Sequence, residues 1–146
     1  MKTILLDTKQ VMELLPHREP ILLVDRVLAL DETSVVAEKD VRPDEPVLAG
    51  HFPGDPVFPG VYIVEALAQT GGVWAIHSRP QFRGHGVALA GIDRCRFRRP
   101  VRPGDTLELR GRLLRERGAI LRFAGEARVS GEVAAEAEFM AAFVQR

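Results

Sequence analysis

The last forty residues alternate. Leu107, Leu109 and Leu113 alternate with Thr106, Glu108, Arg110 and Arg112; Leu121, Phe123, Ala127 and Val129 with Arg122, Glu126 and Arg128; Val133, Ala135, Ala137, Phe139 and Phe143 with Glu132, Glu136 and Glu138. Period two over the successive segments 106–113, 119–129 and 132–143 predicts an antiparallel sheet with one buried face. Arg117-Gly118 and Ser130-Gly131 read as the turns between them. Residues 87–97 read as another strand, and 20–30 with 33–41 as an early hairpin. Val61 to about His77 is apolar nearly all round, the pattern of a helix buried on most sides. Asp7-Thr8-Lys9-Gln10 has the form of a capping box and predicts a short helix stopping at Pro16.

One helix cannot cover both sides of its own sheet. The simplest solution is α+β: a strongly curved antiparallel sheet wrapped around one long central helix, the hot-dog fold. The chain has 146 residues, the size of one domain, and 46 % of them are apolar; a single domain over 1–146 is expected. With 20 basic and 20 acidic residues the formal net charge is zero, which argues against nucleic-acid binding through bulk charge. Cys95 is the only cysteine, so an intrachain disulfide and a cysteine-based zinc site are excluded, and a reducing compartment is the natural home. The first residues hold too short an apolar run for a signal-peptide core. No stretch approaches the roughly 18 apolar residues of a membrane span. A cytoplasmic protein off the membrane is the expectation.

The candidate chemistry lies between Gly50 and Gln69. Gly50, Gly54 and Gly60 and Pro53, Pro56 and Pro59 fall within eleven residues, and such a loop holds a shape. His51 sits inside it. Alone, it reads first as part of a structural turn. Glu65 adds weight to a site because it interrupts Val61-Tyr62-Ile63-Val64 and Ala66-Leu67-Ala68. Burial makes a carboxyl hold its proton more tightly, which suits a proton donor; the alternative is an exposed residue on a narrow polar stripe. Gln69, four residues on, shares the helix face of Glu65. Pro59-Gly60 stands where the helix begins, leaving the N–H groups of Gly60 and Val61 free to hold a carbonyl oxygen as charge builds on it. A base, an acid and an oxyanion donor are what elimination of water next to a thioester requires.

Three blocks, Leu14–Arg26 (Leu-Leu-Pro-His-Arg-Glu-Pro-Ile-Leu-Leu-Val-Asp-Arg), Gly50–Gln69 and Ala90–Asp105, resemble the FabZ-type β-hydroxyacyl-acyl carrier protein dehydratases of bacterial type II fatty-acid synthesis, nearly over the full length. The resemblance implies conversion of (3R)-hydroxyacyl-acyl carrier protein to the trans-2-enoyl product and water, with His51 and Glu65 catalytic and no cofactor beyond the phosphopantetheine arm of the carrier. It implies a homodimer, often a trimer of dimers, with His51 from one chain and Glu65 from its partner. FabA-type dehydratase/isomerases usually carry Asp where Glu65 stands, so Glu65 favours the plain dehydratase. One departure is Ala88-Leu89-Ala90, where many members carry an aromatic pair whose tyrosine gates the acyl tunnel; Phe82 and Phe97 are the candidates to cover it.

Arg94, Arg96, Arg98, Arg99 and Arg102 cluster within nine residues. They read either as a solvated strand edge or as a dock for the acidic carrier protein and its phosphate. His17 and Arg18 read as structural, closing the N-terminal helix against the sheet. Gly71-Gly72 reads as a close-packing site, Trp74 and Cys95 as packing, and no metal site is expected. Two competing functions are a hot-dog thioesterase and a non-catalytic acyl-binding module.

Overall fold

The computed structural model describes residues 2–146. In chain order it runs α1 (Thr8–Leu14), β1 (Arg26–Leu30), β2 (Ser34–Asp40), a 3-10 turn at Pro46–Ala49, α2 (Gly60–Ser78), a second 3-10 turn at Pro80–Phe82, β3 (Gly86–Phe97), β4 (Thr106–Arg117), β5 (Ile120–Val129) and β6 (Glu132–Val144). The strands form one antiparallel sheet in the order β1-β2-β4-β5-β6-β3. α2 packs against β2 through β6, so the sheet curls around it in the hot-dog arrangement.

The alternating segments became β4, β5 and β6, with Leu107, Leu109, Leu121, Phe123, Phe139 and Phe143 buried against the helix. The β5–β6 turn is Ser130-Gly131, both with positive φ (50° and 81°), the backbone that suits a tight hairpin. β4 extends to Arg117, past the predicted end at 113, because its far half pairs with β5 out to Ile120. β3 stands apart from the β4–β6 meander. It crosses to the far edge and pairs with β6, since α2 carries the chain across the sheet before β3 begins.

α1 forms as predicted. The Asp7 side chain accepts from the Gln10 N–H and the Gln10 side chain from the Asp7 N–H, both at 2.9 Å. Pro16 follows its last turn and cannot extend the ladder. The early strand is shorter than predicted: only Arg26–Leu30 joins the sheet. Residues 21–23 are drawn to α2 instead, because the Gln69 side chain bonds the Ile21 carbonyl and the Leu23 N–H, each at 2.8 Å, while the Asp25 N–H already donates to the Glu38 carbonyl of β2 at 2.9 Å. A cis peptide precedes Pro20.

α2 is buried along most of its length, including Ala66, Leu67, Trp74 and Ile76. At Gly71 an added Cβ would come within 3.2 Å of the Phe123 ring, so a missing side chain lets an aromatic from the sheet press onto the helix. Trp74 lies edge-on to Phe123, and its indole N–H donates to the Asp31 carbonyl at 2.9 Å. The two sheet edges differ. β1 is capped in part by Leu5 and Leu6, whose N–H groups donate to the Val27 carbonyl. The outer edge of β3 has no strand partner among the described residues, and Leu89, Ile92 and Phe97 along it are 36 %, 47 % and 54 % exposed.

Candidate active site

His51 follows directly on the 3-10 turn Pro46–Ala49 and Gly50. Its N–H donates to the Leu48 carbonyl at 3.3 Å, and its own carbonyl accepts the Val57 N–H at 2.8 Å. Its ring is half-buried and stacks on Phe52, with centroids 4.1 Å apart; the peptide joining the two is cis. Nδ1 lies 2.7 Å from the Val57 carbonyl oxygen. A carbonyl oxygen only accepts, so in the neutral ring Nδ1 carries the hydrogen and Nε2 keeps its lone pair. The loop thereby holds the imidazole in a fixed tautomer with the Nε2 lone pair open.

Glu65 stands on the second turn of α2 with its side chain 30 % exposed, less enclosed than its apolar neighbours in sequence suggest. Its Oε2 accepts from Gln69 Nε2 at 2.8 Å, the face-sharing expected four residues apart. Gln69 is 1 % exposed, and its amide is fully engaged with Glu65, Ile21 and Leu23. That arrangement makes Gln69 a holder of Glu65 and of the 21–23 segment.

Sequence reasoning missed His17 at this site. Arg18 does close α1, donating to the carbonyls of Met12, Leu15 and His17. His17 instead points across the fold, placing Nε2 3.8 Å from Glu65 Oε2. Its Nδ1 is buried with no partner among the described residues. An orphaned acceptor costs less than an orphaned N–H, so Nε2 carries the hydrogen and faces the carboxylate. Burial pushes the His17 pKa below its usual value, opposed by the Glu65 charge and reinforced by Arg18. The available signal was that Pro16 and Pro20 fix the backbone around His17, as prolines do around His51.

At the start of α2 the helix cap is Pro59, one residue earlier than the expected first-turn proline. The Pro59 carbonyl accepts from Tyr62 and Ile63 at 3.0 and 3.3 Å. The N–H groups of Gly60 and Val61 have no partner among the described residues, and Val61 is 71 % exposed. A cavity of about 520 Å³ opens here between Gly60, Val61, Ile63, Val57, Phe58 and Phe97. The Phe97 ring lies over Gly60 so closely that a Cβ there would come within 2.7 Å. Of the two candidate covers, Phe97 is therefore at the helix end; Phe82 is buried and stacked on Phe143 at 4.7 Å.

The arginine cluster is largely paired within the chain. Arg94 meets Glu138 at 3.5 Å, Arg98 Glu136 at 2.6 Å, Arg99 Glu132 at 3.4 Å and Arg102 Asp55 at 2.8 Å. Arg96 has no carboxylate within ion-pair distance among the described residues and donates to the Cys95 carbonyl. Burial, eased by Arg96, pushes the Cys95 thiol up, away from the reactive thiolate. Among the described residues no three His, Cys, Asp or Glu side chains are grouped to hold a metal, and no helix is long and apolar enough to cross a membrane.

The FabA-like domain family matches residues 15–138. The chain belongs to this family. The FabA-like span contains His17, His51, Gly60, Glu65, Gln69 and the whole arginine cluster. The chain is 48 % identical over 136 residues to a 3-hydroxyacyl-[acyl-carrier-protein] dehydratase FabZ of Syntrophobacter fumaroxidans, covering 93 % of this chain and 92 % of the relative. It is 49 % identical over 143 residues to a dehydratase of the same description from Desulforamulus reducens, covering 97 % and 100 %. Its fold is like that in the dehydratase heterocomplex ApeI:P of Xenorhabdus doucetiae, with a TM-score of 0.81 at 24 % identity over 93 % of this chain and 91 % of the other.

Proposed function

We propose that this FabA-like chain is a (3R)-hydroxyacyl-acyl carrier protein dehydratase, with His51 as base and Glu65 as acid. The observation that carries the assignment is the 2.7 Å contact of His51 Nδ1 with the Val57 carbonyl, which leaves Nε2 free to take a proton. Nε2 removes the proton from C2 of the acyl chain. The electron pair moves onto the thioester carbonyl, and the free N–H groups of Gly60 and Val61 at the helix start hold the enolate oxygen. The enolate electron pair then forms the C2=C3 double bond as the C3–O bond breaks, and the leaving hydroxyl takes the proton of Glu65, acting in its protonated form, and departs as water. Gln69 orients the carboxyl through its 2.8 Å contact. The elimination moves one proton and one hydroxide with no net redox change, so it requires no redox cofactor; the acyl group arrives on the phosphopantetheine arm of its carrier.

The site is completed by a second copy of the chain. Among the described residues no hydrogen bond or ion pair joins His51 to Glu65. The bare, apolar outer edge of β3 supports pairing with a second copy, and trimers of such dimers are the further expectation. Residues 1–146 act as one domain in the cytoplasm. Arg94, Arg96, Arg98, Arg99 and Arg102 form the carrier-docking face, with Arg96 the cation left to meet an acidic partner. The test is an assay of enoyl-thioester absorbance with 3-hydroxybutyryl-acyl carrier protein. Enoyl product supports the dehydratase; release of free thiol without enoyl product hands the site to the thioesterase; neither product points to the acyl-binding module.

A further inference from the structure

The loop bearing His51 is tied down at both ends, by different means. After His51 the ties are backbone bonds, from Val57 to His51 and from Phe58 to the Val101 carbonyl at 2.7 Å, with an exposed Arg102–Asp55 pair alongside. Before it lies a buried ion pair that the proposed chemistry does not use. Val35, Ala37, Lys39 and Val41 alternate into the interior, so Lys39 of β2, opposite Leu107 of β4, points inward. Lys39 is fully enclosed, at 0 % exposure, and Glu45 is 7 % exposed. Lys39 Nζ donates to Glu45 Oε2 at 2.7 Å, and the same oxygen accepts the Arg42 N–H at 3.1 Å. The Glu45 carbonyl accepts the Leu48 N–H at 3.0 Å, and the Leu48 carbonyl accepts the His51 N–H at 3.3 Å. Three links thus run from an ammonium fixed on the sheet to the backbone of the base.

A buried ion pair is a weak source of stability, because desolvation consumes most of the attraction, and two apolar side chains fill the same space about as well. What apolar contacts do not supply is direction: they let the 3-10 turn slide, whereas the short Lys39–Glu45 bond fixes where that turn starts. Burial alone would raise the Glu45 pKa, but the Lys39 and Arg42 contacts outweigh it and hold the carboxyl below its usual range. Glu45 therefore meets Lys39 as a carboxylate.

We propose that Lys39 and Glu45 are positioning residues for His51, a buried clamp that sets where the imidazole stands more than it sets the stability of the fold. The proposal rests on the reading of His51 as the base. The test compares Lys39→Met/Glu45→Leu, which leaves no charge unpaired, and Glu45→Asp, which keeps the pair but shortens its reach. The readouts are kcat, KM, the urea midpoint, and amide exchange at Leu48 and His51. Both variants should keep KM within about twofold while kcat falls about tenfold or more, the scale of a displaced catalytic group. Exchange at Leu48 and His51 should quicken about tenfold while amides of β2 and β4 stay protected. Wild-type kcat and wild-type exchange in either folded variant would overturn the proposal; if the double variant fails to fold, Glu45→Asp decides alone. His51→Asn separates the two readings: if it turns over normally, His51 is not the base, and the exchange data still decide whether the clamp holds the loop.

Discussion

His51 and Glu65 are placed by opposite strategies. His51 sits on irregular chain, and its position is assembled from separate ties: a carbonyl that fixes its tautomer, a ring stacked on Phe52, and a turn anchored through Glu45. Glu65 sits on a regular helix enclosed by the sheet, and one neighbour, Gln69, holds its carboxylate. His51, the proposed base, therefore depends on several weak, separable contacts, and Glu65, the proposed acid, on one rigid element. Damage at a distance should reach the base more easily than the acid.

The largest effects should come from the two groups themselves. His51→Ala and Glu65→Gln should each lower kcat about 10²–10⁴-fold, the range of general acid–base catalysis. Both side chains are partly exposed, so the urea midpoints should stay near wild type; equal loss of fold and turnover would mean that the residues are structural. Next comes the acid's holder. Gln69→Leu leaves the Ile21 carbonyl and the Leu23 N–H without partners, which costs about 1–3 kcal/mol for each buried group in urea unfolding, together with a fall in kcat as Glu65 loosens. Unchanged stability would contradict the account of why residues 21–23 follow α2 and not the sheet.

A third difference is one of pH. The folded-state pKa of His17 lies below its usual 6.5, so on acidification the unfolded chain takes up this proton first. The contribution of His17 is present above pH 6.5 and is lost as pH falls through its lower folded value. Urea midpoints of wild type should therefore drop more steeply below pH 6.5 than those of His17→Leu; parallel curves would remove the buried neutral imidazole beside Glu65. The smallest effect is at the cover. Phe97→Ala uncovers Gly60 to water, which should lower kcat by about threefold through a weaker hold on the enolate oxygen, with little change in stability.

The same contrast explains what could be read from the chain. The meander of β4 to β6, the buried α2 and the capped α1 were legible because each is written in local period or cap chemistry. Glu65 with Gln69 was legible as a polar break in an apolar helix, and His51 as a histidine among prolines and glycines. The start of β1 was not, because Ile21 to Val24 are apolar enough for a strand and the distant Gln69 ties Ile21 and Leu23 to α2. The crossing of β3 to the β6 edge, the approach of His17 to Glu65 and the Lys39–Glu45 clamp were hidden for the same reason: each joins residues far apart in sequence or in different elements, where no periodic signal reaches.

In the proposed dimer one working site takes His51 from one subunit and Glu65 from the partner subunit, and mixing two dead enzymes tests this sharing most directly. His51→Ala and Glu65→Gln chains, unfolded together in equal amounts and refolded, should recover about a quarter of wild-type turnover, since half of the dimers are then mixed and each carries one intact site of two. Activity no higher than that of either variant refolded alone, from a sample in which mixed dimers are demonstrated, would contradict a shared site and return both residues to a single chain.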